Sequence, residues 1–288
     1  MIEAIVIPSD FSKNASSALR YAIMLSKKLK AKLIVFHCSH MSAYSLSAAG
    51  TEAAMSALLK EDEQDKLKKL RLQVKKSYNQ AGYDKVPDST LCVVEFNPMV
   101  VENTIELARK YNAGLIVMGT HGASGIKKFF FGSNTSIMIA KSDIPIMAIP
   151  ENYKLSSPDT ITFASDLENV SVELRTLMPL VTAFKSTLEI VYLDYGLDLT
   201  NTKRKHAEAV IKKIPYKKIE LVLQKATIET SLVDQVKKYI NKNKTDCLVM
   251  FTRERSLWDR LFNGSKTEDM SAALGVPLLT FKKSPFVV

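Results

Sequence analysis

The sequence predicts an α/β protein of two tandem domains, each an open parallel sheet of five strands with helices on both faces. Three observations lead there. Short apolar runs rich in branched residues alternate with helical patterns along the first half of the 288-residue chain. The second half repeats the same order. A glycine- and serine-rich stretch, "GTHGASGIKKFFFGS" at residues 119–133, falls where an apolar run gives way to a helix.

"EAIVIPS" is a short apolar run ended by Pro8 and reads as a buried strand. "DFSKNASSALRYAIMLSKKLKA" follows, with Leu19, Ala22, Ile23 and Leu25 or Leu29 near helical spacing. "KLIVFHC" is a second strand, and residues 39–50 are a loop of small residues. A long charged helix then runs from Thr51 to a stop at Gly82. "STLCVVEF" is a third strand. "NPMVVENTIELARKYN" is a third helix, with Asn97 as N-cap and Pro98 in the first turn. "AGLIVMG", "GSNTSIMIAKS" and "IPIMAIP" complete the half as strand, helix and strand. In such sheets ligands bind outside the carboxyl ends of the strands, where the strand order reverses. Both "PSD" after the first strand and the glycine stretch lie at carboxyl ends.

The second half parallels the first piece by piece. "TITFASDLENVSVELRTLMPLVTAF" matches "EAIVIPSDFSKNASSALRYAIML", pairing Asp166 with Asp10. "STLEIVYLD", "KIELVLQ" and "TIETSLVDQVKKYINKNK" match the second strand, third strand and third helix. "TDCLVMFTRERSLWDRLFNGSKTEDMSAALGVPLLTF" matches the stretch that holds the glycine loop, so Gly264-Ser265 pairs with Gly132-Ser133 and Phe251 with Gly119. The first half carries the longer insert between its second and third strands. The polar stretch "PENYKLSSPDT" separates the two, giving a first domain over 1–150 with an intact glycine loop and a second, degenerate domain over 151–288.

Composition narrows the function classes. Hydrophobic residues make up 46% and charged residues 24%, which suits a globular chain with a sizeable core. The net charge of +10 is spread over both halves, so no basic arm marks a nucleic-acid partner. Cys38, Cys92 and Cys247 each lie inside an apolar run with no CxxC pair, which reads as buried thiols in a reducing compartment. The opening "MIEAIVIPSDFS" has neither a basic lead nor a long apolar core. No apolar stretch approaches the ~20 residues that span a bilayer. A cytoplasmic protein with no membrane partner is expected.

The glycine stretch has the chemistry of an anion cradle. Gly119 and Gly122 permit positive φ and close approach of backbone to a ligand. Successive free N–H groups there can form an anion nest. Gly132 and Ser133 open a helix whose first N–H groups lack partners and carry partial positive charge. Ser133 either caps that helix or donates to a phosphate.

Gly119-x2-Gly122-x9-Gly132-Ser133 after "LIVM", together with "IPSDFS" at the first strand, resembles the universal stress protein family, with one family unit in each half of the chain. The resemblance implies a Rossmann-like fold of the adenine nucleotide alpha hydrolase-like kind. It implies that ATP, or AMP or ADP, binds in the first domain with Mg²⁺ shielding the phosphates. Carried over by position, Gly119, Gly122, Gly132, Ser133 and Asn134 face the phosphates and ribose, and Met118 lies beside the sugar. Pro8 and Asp10 line the nucleoside end, and Cys38 meets the adenine through its backbone. The resemblance also implies that the fifth strands of the two domains pair as a built-in pseudo-dimer, and it leaves a homodimer of full chains open. The expected role is that of a stress-response or regulatory protein.

Each residue also has a plainer reading. Asp10 could merely cap the first helix, Cys38 is also a core thiol, and His121 is a loop residue with no second metal ligand at suitable spacing. Lys127 and Lys128 either contact a γ-phosphate or form an exposed basic turn. The charged face of the long helix reads as solvated. Phe96 replaces the glycine that nucleotide-binding members carry after the third strand, which would narrow the adenine end. In the second domain Phe251 and Glu254 replace the first two glycines, and a carboxylate there repels polyanions. No catalytic set or metal site is evident: there is no paired base and nucleophile and no Walker lysine motif, so the chain is at most a slow ATPase. The alternative function is a nucleotide-free protein-interaction module with both domains structural.

Overall fold

The chain divides into two compact units with the boundary between Leu155 and Ser156. The computed structural model describes residues 2–40, 51–120, 133–151, 153–196, 200–252 and 275–283. In the first unit the elements are β1 (Ala4–Pro8), α1 (Lys13–Leu29), β2 (Lys32–Ser39), α2 (Glu52–Gln80), β3 (Thr90–Phe96), α3 (Val100–Lys110), β4 (Leu115–Gly119), α4 (Ser133–Lys141) and β5 (Ile146–Ile149). The strands stand in the order β3-β2-β1-β4-β5, every neighbouring pair parallel. The order reverses between β1 and β4, and in open sheets of this kind the carboxyl ends at such a reversal are where ligand crevices form.

The second unit repeats this plan with β6 (Thr160–Ala164), α5 (Val170–Phe184), β7 (Thr187–Asp194), α6 (Thr200–Ile211), β8 (Ile219–Lys225), α7 (Leu232–Asn243), β9 (Cys247–Thr252) and β10 (Leu278–Lys282). Its strands stand in the order β8-β7-β6-β9-β10, again all parallel. The helix expected over "GSKTEDMSAAL" lies outside the described residues. The insert between second and third strands is larger in the first unit, where α2 has 29 residues against 12 in α6.

The apolar runs become strands covered on both faces. Ile5, Val6, Ile7, Leu33, Ile34, Val35, Phe36, Ile116 and Val117 are fully buried, as a parallel sheet requires. Helix α1 presents Ala15, Ala18, Leu19, Ala22, Ile23 and Leu25 to that sheet at spacings of three and four. Of the two alternatives for its last anchor, Leu25 is the buried one. Its N-cap is Ser12, whose hydroxyl accepts from the Ala15 N–H at 3.0 Å. Helix α3 departs from expectation. It starts at Val100 without a side-chain cap, because Asn97 Oδ1 instead accepts from the Met99 N–H at 2.8 Å and holds a turn ahead of the helix.

Helix α2 has its buried residues in its second half. Leu70, Val74, Ser77 and Tyr78 are its buried residues, and the Tyr78 hydroxyl lies 2.6 Å from Thr90 Oγ1 at the start of β3. Gly82 ends it at φ 84°, a conformation that glycine adopts without a Cβ clash. Among the described residues no helix is long and apolar enough to cross a membrane. All three cysteines are free, and burial pushes the Cys247 thiol up to about 12.

Because α2 rests on so short a stripe, Leu70→Ala is expected to destabilise the protein by about 2–5 kcal/mol in chemical denaturation. Leu72→Ala, at a side chain 68% exposed on the same turn, is expected to stay within about 0.5 kcal/mol of the parent.

Candidate functional site

The cleft of the first unit is built around the turn that links β1 to α1. Pro8 ends the strand half-buried, and Ser9 is buried behind it. Phe11 sits at φ 64°, in the left-handed region that a bulky side chain rarely adopts. Local hydrogen bonds hold it there. The Ser9 hydroxyl accepts from the Phe11 N–H at 3.2 Å, and Asp10 Oδ1 accepts from the Ser12 N–H at 3.0 Å. Asp10 therefore shapes the turn and leaves the helix cap to Ser12. Its carboxylate is exposed at the carboxyl end of β1.

Across the strand-order reversal, β4 ends against the first turn of α1. A Cβ added at Gly119 would meet the backbone carbon and oxygen of Asn14, and its Cβ, at 3.2 Å. The need for glycine here is close approach. Gly119 is absent from the glycines with positive φ, so the conformational reason anticipated from the sequence does not apply at this position. Thr135, in the first turn of α4, donates its hydroxyl hydrogen to the Gly119 carbonyl at 2.9 Å. That bond fixes the start of α4, with Ser133 and exposed Asn134, at the end of β4. The Thr120 N–H continues the ladder to the Ile149 carbonyl at 2.9 Å. Gly122 and Gly132, like His121, Lys127 and Lys128, lie outside the described residues.

Cys38 and Met118 are brought to the same end of the sheet, but their side chains turn into the core. Both belong to a buried cluster with Phe36, Val101 and Met138. The Cys38 thiol donates to the Asn97 carbonyl at 2.8 Å and accepts from Asn103 Nδ2 at 3.6 Å. Burial raises its pKa above the ordinary thiol value, which keeps it protonated and unreactive near neutrality. Any contact these two residues make in the cleft comes from backbone. Phe96 ends β3 opposite Ser39 and is 43% exposed, so its ring stands at the mouth.

Helix α2 supplies groups that the charge pattern did not single out. Gln73 bridges two serines of the site: its Oε1 accepts from the Ser9 hydroxyl at 2.7 Å and its Nε2 donates to Ser16 Oγ at 3.0 Å. Asp62 accepts from the Ser39 hydroxyl at the end of β2. Lys69 places its ammonium 4.4 Å from the centre of the Phe11 ring, a cation–π contact. Phe11 packs on His37, with ring centres 4.3 Å apart, and His37 Nδ1 donates to the Ser9 carbonyl at 2.8 Å. Burial lowers the His37 pKa from 6.5, opposed by that carbonyl and assisted by Lys66. Asp62, Lys66, Lys69 and Gln73 stand at intervals of four, three and four, which puts them on one helix face. That spacing was the available signal.

The second unit repeats the turn with different surroundings. Leu167 sits at φ 58°, Ser165 Oγ accepts from its N–H at 3.0 Å, and Asp166 Oδ1 accepts from the Glu168 N–H at 3.1 Å. Phe251, at the position of Gly119, stacks on Phe281 with ring centres 4.6 Å apart and meets Phe163 edge-on at 5.4 Å. An aromatic cluster thus covers the carboxyl ends of β6, β9 and β10. Glu254, Trp258 and Gly264-Ser265 lie outside the described residues.

Comparison with known proteins gives a consistent picture. The sequence profile of the universal stress protein family matches residues 1–150. A universal stress protein of Methanocaldococcus jannaschii is 32% identical over 155 residues, covering 54% of this chain and 85% of that protein. A stress response protein of Bacillus subtilis is 25% identical over 167 residues, covering 51% of this chain and 97% of its own length. The crystal structure of a universal stress protein from Archaeoglobus fulgidus superposes with a TM-score of 0.68 at 18% identity, covering 99% of this chain and all of that one; at that identity the likeness speaks for the fold.

The fit of β4 against α1 is testable by adding one methyl group. Gly119→Ala is expected to destabilise the protein by about 1–3 kcal/mol in urea unfolding, since the atoms it meets are helix backbone. An unchanged stability would mean that the two elements are not in contact there.

Proposed function

The chain belongs to the universal stress protein family, and from that premise we propose that its first unit binds ATP or another adenine nucleotide in the cleft between the ends of β1 and β4, as a stress-response or regulatory protein. The observation that carries this reading is the anchoring of the α4 N-terminus beside Gly119 and the β1–α1 turn. The first N–H groups of a helix have no partners within it and favour negative charge, so a phosphate group suits that end of the cleft. The exposed Asp10 carboxylate suits the other end, where it can accept hydrogen bonds from sugar hydroxyls but would repel phosphates.

The assignments at Pro8, Asp10, Cys38, Met118, Gly119, Gly122, Gly132, Ser133 and Asn134 belong to this proposal. Gly122 and Gly132 supply backbone N–H groups to the phosphates, and Ser133 adds a hydroxyl. Cys38 and Met118 contribute backbone beside the nucleoside. Mg²⁺ arrives with the nucleotide and shields its phosphates. The protein acts in the cytoplasm, where its three free thiols stay reduced. The two units act as an intramolecular pseudo-dimer. Any hydrolysis is slow, because the residues around the turn hold structure: Ser9, Gln73, Ser16 and Asp62 already spend hydrogen bonds on one another or on the strand ends.

Isothermal titration with Mg-ATP and Mg-AMP is expected to show about one site per chain. Binding absent at millimolar nucleotide, weaker than about −4 kcal/mol, would favour a nucleotide-free interaction module instead. Gly122→Val is expected to abolish binding while leaving the circular dichroism spectrum unchanged, since a branched residue crowds the phosphates and resists positive φ. Binding as tight as the parent's would remove the glycine loop from the site.

A further inference from the structure

The second unit holds a buried ammonium at the place where the first holds its candidate ligand site. Lys283 follows the end of β10, and its side chain is only 4% exposed. Its Nζ lies 2.6 Å from each carboxylate oxygen of Asp166, the counterpart of Asp10. It also lies 3.2 Å from Glu173 Oε1, on a side chain 3% exposed in the first turn of α5. An ammonium has three hydrogens to donate, and these three oxygens match them.

The surroundings are arranged around that cation. Burial pushes the Glu173 carboxyl up from its ordinary value, and the Lys283 charge opposes the shift. The Ser165 hydroxyl, which closes the turn, also reaches Glu173 Oε2 at 3.4 Å. From α6, Lys203 donates to the Asp166 carbonyl at 3.2 Å and pairs with Glu168 at 3.5 Å, so a second ammonium holds the turn from the other side. Two residues before Lys283, Phe281 stacks on Phe251.

The first unit keeps the turn but has other residues at the positions of Glu173 and Lys283. By the internal repeat, Ser17 stands where Glu173 does. By strand register, Ile149 pairs with Gly119 as Phe281 pairs with Phe251, so exposed Glu151 stands where Lys283 does. The same backbone plan therefore carries different charged groups at this place in the two units. One leaves its aspartate exposed beside a helix N-terminus. The other sets a half-exposed aspartate and a buried glutamate around a cation of its own.

We propose that Lys283 is the resident occupant of the second unit's cleft: an internal ammonium that latches the end of β10 to the β6–α5 turn and closes this unit to nucleotides. Closure against nucleotides presupposes that the first unit binds one; the latch itself does not. The latch works because breaking a buried pair leaves an uncompensated charge, which costs more than the intact pair contributes. A polyanion entering there would have to displace a cation that faces two carboxylates, and would then meet those carboxylates directly.

Three measurements on the full chain test this. In thermal unfolding, Lys283→Met is expected to lower the midpoint of the affected transition by about 10 °C, and Lys283→Met combined with Glu173→Gln to recover most of the loss, because the second change removes the orphaned charge. An unchanged midpoint for the single variant, or losses that simply add in the double, would overturn the latch. In the parent, acylation with an amine-reactive ester followed by mass spectrometry is expected to modify Lys283 about tenfold more slowly than its exposed neighbour Lys282. Equal rates would overturn the latch even if the variants fail to fold. For closure, Mg-ATP titration of the Gly122→Val chain is expected to show no residual site. A parent with two sites, one of which survives Gly122→Val, would overturn closure. A parent that binds no nucleotide would defeat the reading of the first unit instead, and the latch would stand or fall by unfolding and acylation.

Discussion

A bulky residue held in the left-handed region ends the turn on which both units are built. Phe11 at φ 64° and Leu167 at φ 58° occupy a backbone conformation that costs a residue with a Cβ about 1–2 kcal/mol. Each is retained by the same pair of side chains, a serine that accepts from its N–H and an aspartate that accepts from the N–H after it. The strain aims the chain from the end of the first strand straight into a helix and leaves an aspartate at the strand-order reversal. Strained backbone persists where the surroundings over-determine it. Here Gln73 and His37 supply that support in the first unit, gripping Ser9 through its hydroxyl and its carbonyl.

Everything that distinguishes the two clefts is added around this common turn. In the first unit the end of β4 must come within van der Waals distance of α1, and glycine at 119 permits it. In the second, Phe251 stands at that place and builds an aromatic cluster with Phe163 and Phe281. A single change of side-chain size thus separates a strand end that packs on helix backbone from one that carries an aromatic cluster. The Lys283–Glu173 pair of the second unit is buried on both sides, and charge held out of water has to be matched by charge from the chain itself.

Much of this was legible in the sequence because parallel strands buried on both faces announce themselves as continuous apolar runs. "AIVIP", "LIVFHC" and "LIVMG" needed no partner information to be found. The duplication was equally plain, from the recurring Ser-Asp after the first strand of each half. The failures are local and physical. Asn97 looked like a helix cap, but it lies two residues before the cap position and its side chain satisfies the Met99 N–H. Gly119 suggested unusual backbone, whereas the constraint is a neighbouring helix that sequence alone cannot place. The face of α2 bearing Asp62, Lys66, Lys69 and Gln73 looked solvated, because nothing local says that the helix crosses the ends of β1 and β2. Lys283 was invisible for the same reason: its partners lie 117 and 110 residues away in the chain, and only the fold brings them together.

The central claim is that one cleft, and one only, is arranged for a phosphate-bearing ligand. A crystal structure of the full chain grown with excess Mg-ATP tests it most directly. The account predicts one ordered nucleotide, with its phosphates at the N-terminus of α4 and its nucleoside toward Asp10 and the end of β2. Ordered triphosphate between Asp166 and the end of β9, or a nucleotide seated away from the β1–α1 turn altogether, would contradict it.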